Sequence, residues 1–136
     1  MRIAVLSDTH ASSLDDLPPR LLAALAGVDM VLHLGDYANM EVVDGLRRLH
    51  HFEGIHGNMD SAGVKQSLPE QRVVEVEGKR IGTRFPAVDA VLYGHTHRSS
   101  NGMDGDVLVF NPGSVPMYRD DPLSTPATAS LRWTKR

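Results

Sequence analysis

The chain has 136 residues, of which 41% are apolar and 23% charged, with a formal net charge of −3 and no cysteine. That is the size and balance of one globular domain; it excludes a disordered chain, a disulfide scaffold, a thiolate metal site and a cysteine nucleophile. The mild acidity gives no basic footprint for nucleic acid, and the apolar run at Ile3 to Leu6 is too short for a signal peptide or a membrane span of about 20 residues, so a cytoplasmic protein opening directly on its first strand is expected.

Ile3 to Leu6 reads as a buried central strand that opens into the loop Ser7-Asp8-Thr9-His10. Asp15, Asp16 and Pro18-Pro19 then punctuate the start of a helix carrying Leu21, Leu22 and Leu25, and Gly27 its end. Asp29 to Leu34 is a second buried strand, stopped by Gly35-Asp36. A second helix is expected over Met40 to Leu49, with Val42, Val43, Leu46 and Leu49 on one face. Phe52 to His56 is a third strand, stopped by Gly57-Asn58. This β-α-β-α-β order predicts a parallel sheet whose loops gather at the strand C-terminal ends. Beyond it, Val73 to Val76, Glu77-Gly78-Lys79 and Arg80-Ile81 predict a tight hairpin. Val88 to Tyr93 is a strand ending in Gly94-His95-Thr96-His97, and Val107 to Phe110 is another ending in Asn111-Pro112-Gly113-Ser114. A last strand is expected near Thr128 to Trp133, and the basic end, Arg132 to Arg136, reads as a solvated terminus. No repeat or linker divides the chain, so one domain is expected over residues 1–136.

Four strand ends finish in potential metal ligands: Asp8-x-His10, Gly35-Asp36, Gly57-Asn58 and His95-x-His97. In open α/β sheets ligands bind beyond the carboxyl ends of the strands, so these loops should converge. In extended backbone, residues two apart point the same way, which would bring Asp8 to His10 and His95 to His97. Glycines 35, 57 and 94 would let the chain turn sharply. Three imidazoles, two carboxylates and one amide oxygen suit first-row divalent ions such as Mn, Fe, Co, Ni or Zn better than Ca. Six ligands exceed what one ion with open positions needs and match two ions sharing a carboxylate.

In this order, Asp8-x-His10, Gly35-Asp36, Gly57-Asn58-x-Asp60 and Gly94-His95-x-His97 resemble the calcineurin-like metallophosphoesterases. The similarity is greatest to the short bacterial and archaeal phosphodiesterase branch, which carries an Asn-Pro-Gly-Ser loop like residues 111–114, and it runs from Met1 to about Ser114. The resemblance implies an α/β fold, a two-layer β-sandwich of mixed sheets flanked by helices. It implies a phosphodiesterase acting on small phosphate esters with two divalent ions, manganese favoured. Asp8, His10 and His97 would hold the first ion, Asp36 would bridge both, and Asn58 and His95 would hold the second. Asp36 and His95 would thus serve catalysis through the metals, with no separate general acid. Ions about 3.5–4 Å apart bind phosphoryl oxygens and acidify a shared, bridging water to hydroxide.

Two departures from the family pattern stand out. The position after Asn58 is Met59, where many members carry His as a general acid; this favours diesters and good leaving groups. The family also places a further His ligand in a His-Gly sequence after the hairpin, followed by a helix. Here Arg80-Ile81-Gly82 runs into Thr83-Arg84-Phe85-Pro86-Ala87 and then Val88, and five residues are too few for the usual parallel crossover of about a dozen. One loop-helix element is therefore missing between Gly82 and Thr83. Either it belongs to the complete protein and is absent from this sequence, which Arg84-Phe85-Pro86 favours by reading like a helix end, or it has been lost.

Other residues have plainer readings. His33 is expected as a hydrogen-bonded core residue, His56 as a bystander, and Asp60 as a residue that orients its loop. Residues 111–114 are expected as turn chemistry at the wall of the site. The competing function is a protein-binding scaffold on the same fold, as in the retromer subunit that resembles this family. Self-association is left open by the sequence.

Overall fold

The computed structural model describes residues 1–83 and 87–114, together with the backbone of 129–131. The first half follows the expected order. Strand β1 (Ile3–Leu6) leads through a 3-10 turn at Leu14–Asp16 into α1 (Pro19–Leu25), then β2 (Met30–His33), α2 (Met40–Leu49) and β3 (Phe52–Gly54). β1 pairs parallel with β2, and β2 with β3, in the registers Ile3↔Met30 and Val31↔Phe52. Pro18-Pro19 opens α1 where a missing N–H costs nothing. The Asn39 side chain caps α2 by accepting from Glu41 N at 3.1 Å, and Arg47 and Arg48 sit in the last turn, where the helix dipole favours cations. Leu49, expected on the buried face, is 64% exposed because the helix ends there.

A short helix, α3 (Ala62–Ser67), follows and had no clear sequence signal beyond Ser61, whose hydroxyl accepts from Val64 N. The rest is strand: β4 (Val73–Val76), β5 (Lys79–Gly82), β6 (Ala90–Leu92), β7 (Ser100–Asp104), β8 (Val107–Asn111) and β9 (Ala129–Leu131). β9 lies within the strand expected near Thr128 to Trp133 and pairs antiparallel with β1. Two mixed sheets result, ordered β3-β2-β1-β9 and β4-β5-β6-β8-β7.

The sheets pack face to face. Ile3, Val5, Met30 and Leu32 of the first meet Val76, Ile81, Ala90, Leu92 and Phe110 of the second. The opposite face of the first sheet, through Ala4, Leu6 and Val31, is covered by Leu21, Leu25, Val42, Val43, Leu46 and Val64 of the three helices. Each fully buried aliphatic side chain there contributes about 1.5–3 kcal/mol. This is the expected α/β architecture. Among the described residues no helix is long and apolar enough to cross a membrane.

The connection from β5 to β6 is as short as the sequence implied. The two strands do pair parallel, with Ile81↔Ala90 and Gly82↔Val91, across residues 83–89 only. Gly82 runs straight on into Thr83, whose N–H donates to Arg72 O at 3.1 Å and so prolongs the hairpin. At the far end Asp89 accepts from Arg80 N at 2.8 Å and from Lys79 Nζ at 3.2 Å, contacts that hold its carboxyl below the usual range. The helix end expected at residues 84–86 and the basic end at 132–136 lie outside the described residues.

Candidate metal centre

The four ligand-bearing turns meet at one end of the two sheets. Asp8 N donates to Gly35 O and His10 N to Asp36 O, both at 3.1 Å, and Ala11 and Ala38 form a parallel bridge beside them. His95 N reaches across to Asp8 Oδ2 at 3.0 Å. Gly35, at φ +98°, is packed so closely that a Cβ would collide with the Gly57 backbone. Gly57 and Gly94 do not have positive φ, so their value lies in close approach rather than in the expected sharp turn. A Cβ on Gly57 would strike the Asp36 carboxylate, and one on Gly94 the Ser7 hydroxyl.

Convergence is achieved by a different backbone than expected. Asp8, His10, Asp36, His95 and His97 all lie in the left-handed region, at φ +52°, +44°, +60°, +70° and +58°. Asp and His tolerate this region better than most residues, yet such positions cost about 1–3 kcal/mol each and persist only where neighbours fix them. Extended alternation therefore does not set these side chains; a series of left-handed turns does.

The buried residues between the ligands supply the fixing. Asp60, 5% exposed, accepts from four backbone donors: Asp36 N at 2.8 Å, Tyr37 N and Gly57 N at 2.7 Å, and Ala38 N at 3.3 Å. It thereby ties the Asp36 turn to the Gly57-Asn58 turn, the loop-orienting part expected of it. His33 holds the first turn. Its Nδ1 accepts from Gly35 N at 3.1 Å, so Nε2 carries the proton and donates to Thr9 Oγ1 at 3.0 Å. Burial lowers the His33 pKa to about 3, with nearby Asp8 opposing and His10 adding to the shift. The ring is stacked on Tyr37 at 3.8 Å. Asn111, fully buried, donates to Gly94 O and Thr96 Oγ1 and accepts from Gly113 N, bracing the His95-x-His97 turn. Its part in holding ligands was missed in the sequence, where only a wall was read.

Asp8 is 1% exposed, and its two oxygens differ. Oδ2 accepts from Ser7 Oγ at 2.5 Å and from His95 N. Oδ1 is buried without a hydrogen-bond partner, the one such side-chain atom among the described residues. It faces His97 Nε2 at 3.3 Å and His10 Nε2 at 4.0 Å. One ligand atom from each of Asp8, His10 and His97 lies within 4.8 Å of the others. A buried anionic oxygen left unpaired beside two imidazole nitrogens fits a divalent cation, since an unsatisfied buried charge is otherwise costly. His95 turns to the other carboxylate, with Nδ1 3.9 Å from Asp36 Oδ2, while Asp36 Oδ1 accepts from Met59 N at 3.0 Å. His95 and His97 thus serve different carboxylates rather than one point.

Asn58 is exposed on the turn that Asp60 ties to Asp36, and its backbone carbonyl accepts from Lys65 Nζ at 2.9 Å. Met59, 67% exposed, carries no proton donor. The His56 ring lies against its neighbour's carbonyl, with Nδ1 3.2 Å from Gly57 O. Ser114 Oγ donates to Asp8 O at 3.2 Å, which brings the loop at 111–114 to the centre. A separate apolar cleft between the sheets, lined among others by Leu32, Val74, Ile81, Leu92 and Arg72, contains none of the six expected ligands.

An α/β sandwich with Asp- and His-bearing turns at one end defines a class, and the comparisons with known proteins agree with it. The calcineurin-like phosphoesterase superfamily domain matches residues 1–85 and 83–132. The chain belongs to this family. The two matched stretches meet where the β5–β6 connection is short. A probable metallophosphoesterase of Methanocaldococcus jannaschii is 29% identical over 139 residues, covering 88% of this chain and 70% of the relative. A phosphodiesterase of the same archaeon is 26% identical over 148 residues, covering 87% and 86%. Among solved structures, Vps29 of Entamoeba histolytica complexed with Zn2+ is 25% identical, covers 93% of this chain and 81% of its own, and superposes with a TM-score of 0.70. Membership in this family implies divalent metal ions and hydrolysis of phosphate esters.

Proposed function

We propose that residues 1–136 form a single cytoplasmic metallophosphoesterase domain that hydrolyses phosphodiesters at a centre of two divalent ions. The observation that carries this reading is Asp8 Oδ1, buried, without a hydrogen bond, and facing the nitrogens of His97 and His10. Asp8, His10 and His97 would hold one ion, Asp36 would be shared, and His95 and Asn58 would hold the other; Mn, Fe, Co, Ni and Zn suit this donor set, and manganese is favoured. When bound, such ions bind phosphoryl oxygens and lower the pKa of a coordinated water.

The chain's own residues set orientation and charge. Ser7 and the His95 N–H occupy Asp8 Oδ2, so Oδ1 alone is left to point at the cation position. Met59 N does the same for Asp36, leaving Oδ2 toward His95. Because Met59 cannot protonate a leaving group, the site favours esters whose leaving group departs as a stable anion. That supports diesters with activated alcohols over alkyl monoesters, in line with the phosphodiesterase relative.

The test is hydrolysis of an activated aryl phosphodiester by the purified chain with Mn, against Asp36→Asn. The wild type should turn over and lose activity on chelation. The variant should lose more than the ~10- to 100-fold typical of changes outside the ligand shell. Equal rates in the two proteins would end the proposal. The scaffold reading is favoured by one observation, the lack of a further His ligand after β5; Mn binding without turnover of any ester would select it.

A further inference from the structure

We infer that the centre takes diesters carrying a second phosphoryl group on one of their alcohols, and that Lys65 is the residue that receives this group. The inference rests on the phosphodiesterase reading above and narrows its substrate class. The group held by Lys65 is not cleaved; it anchors the substrate beside the reacting ester.

Lys65 stands on a short but well-anchored element. Its neighbour Val64 is fully buried in the helical core, and the Ser61 hydroxyl caps α3, so Lys65 leaves a fixed backbone for the surface. Its ammonium donates to the backbone carbonyl of Asn58 at 2.9 Å. Asn58 is the residue proposed to meet the second ion. Bond lengths alone keep the ammonium within about 9 Å of the side-chain oxygen of that residue. One of the three ammonium protons is engaged in this bond, and two are left for a ligand.

The charge of Lys65 also lacks the partner that other cations have. Arg47 is paired with Asp44, Arg72 with Glu53 and Lys79 with Asp89, whereas Lys65 makes no ion pair among the described residues. Along residues 57–68 the one acid is Asp60, 5% exposed and with both oxygens engaged by backbone N–H groups. Met59, between Asn58 and Asp60, adds an exposed thioether and no charge. This turn thus presents one uncompensated positive charge at the rim of the centre, on a chain whose net charge is −3. A neutral carbonyl answers an ammonium only weakly. A phosphoryl group, with nearly two negative charges and three acceptor oxygens, answers it better.

A lysine that merely held the Asn58 turn would affect every ester alike, whereas a subsite affects only esters that reach it. The experiment therefore compares two esters with one leaving group in the Mn-loaded chain: the p-nitrophenyl ester of thymidine 5′-phosphate, and the same compound bearing a 3′-phosphate. The wild type should favour the second by about tenfold in kcat/KM, mainly through KM, as one partly exposed charge-assisted contact provides. Lys65→Ala should bring the ratio to about one, and Lys65→Arg should keep most of it. Arg48→Gln removes an exposed cation from the last turn of α2 and should leave the ratio standing, which separates a local contact from a general field. Apart from turnover, thymidine 3′,5′-bisphosphate should shield Lys65 from reductive methylation, read by mass spectrometry, and thymidine 5′-phosphate should not. A wild-type ratio near one, a ratio unmoved by Lys65→Ala, or equal shielding by both nucleotides overturns the subsite and leaves the phosphodiesterase intact. Hydrolysis of neither ester overturns the phosphodiesterase reading, and this inference with it.

Discussion

The two sheets contribute to the centre in different ways. The four-stranded sheet is covered on both faces, and its turns deliver the carboxylates Asp8 and Asp36, 1% and 4% exposed. The described helices all pack on that sheet, and the five-stranded one delivers His95 and His97 with side chains 75% and 52% exposed. Negative charge is therefore built into the frame during folding, whereas the imidazoles from β6 stand at its rim. Burying a carboxylate is costly unless something answers it, so the frame must be held by hydrogen bonds until a cation does. The rim pays no such penalty.

Breaking the frame should therefore cost stability, and breaking the rim should not. The largest effect is expected for Asp60→Ala, which leaves the N–H groups of Asp36, Tyr37, Ala38 and Gly57 without their acceptor. A loss of about 3 kcal/mol should be seen by urea denaturation of metal-free protein, from the cost of unsatisfied buried donors. A loss below about 1 kcal/mol would mean that water replaces the carboxylate without penalty and that the frame is not held there.

His33 gives an intermediate effect that depends on pH. The unfolded residue takes up a proton near pH 6.5, while the folded one resists down to about 3. Between those values the unfolded chain binds more protons, so stability falls as pH drops through the window, and above it His33 contributes no pH dependence. The free energy of unfolding should thus be lower at about pH 5 than at about pH 7, and this gap should shrink in His33→Gln. An unchanged gap would assign the slope to the other titrating groups of the chain, its six remaining histidines among them. The smallest effect belongs to the rim: in chelated protein His97→Ala should stay within about 0.5 kcal/mol of the wild type. A larger loss would place this imidazole in the frame after all.

Much of the frame could be read directly from residues. Fully buried strands are continuous apolar runs, which is why Ile3–Leu6 and Met30–His33 stood out, and α2 announced itself through the spacing of Val42, Val43 and Leu46. β7 did not, because Ser-Asn-Gly-Met-Asp is exposed throughout and becomes a strand only by pairing with β8. α3 buries Val64 alone, too little for a periodic pattern. At the centre, residue types and order pointed to the right turns, but the route to convergence was misjudged. Left-handed backbone at five ligand positions is set by Asp60, Thr9–His33 and Asn111, contacts between distant segments that no local pattern encodes.

The short link between β5 and β6 has an architectural consequence. Thr83 remains bonded to Arg72 at its entrance, and Asp89 to Arg80 and Lys79 at its exit. Both borders of the link are stitched to the hairpin independently of how many residues lie between them. Lengthening such a loop costs only about 0.6 kcal/mol for each doubling. This seam is consequently a port in the scaffold, where whole segments can be spliced in or trimmed away while the ladder on either side keeps its alignment.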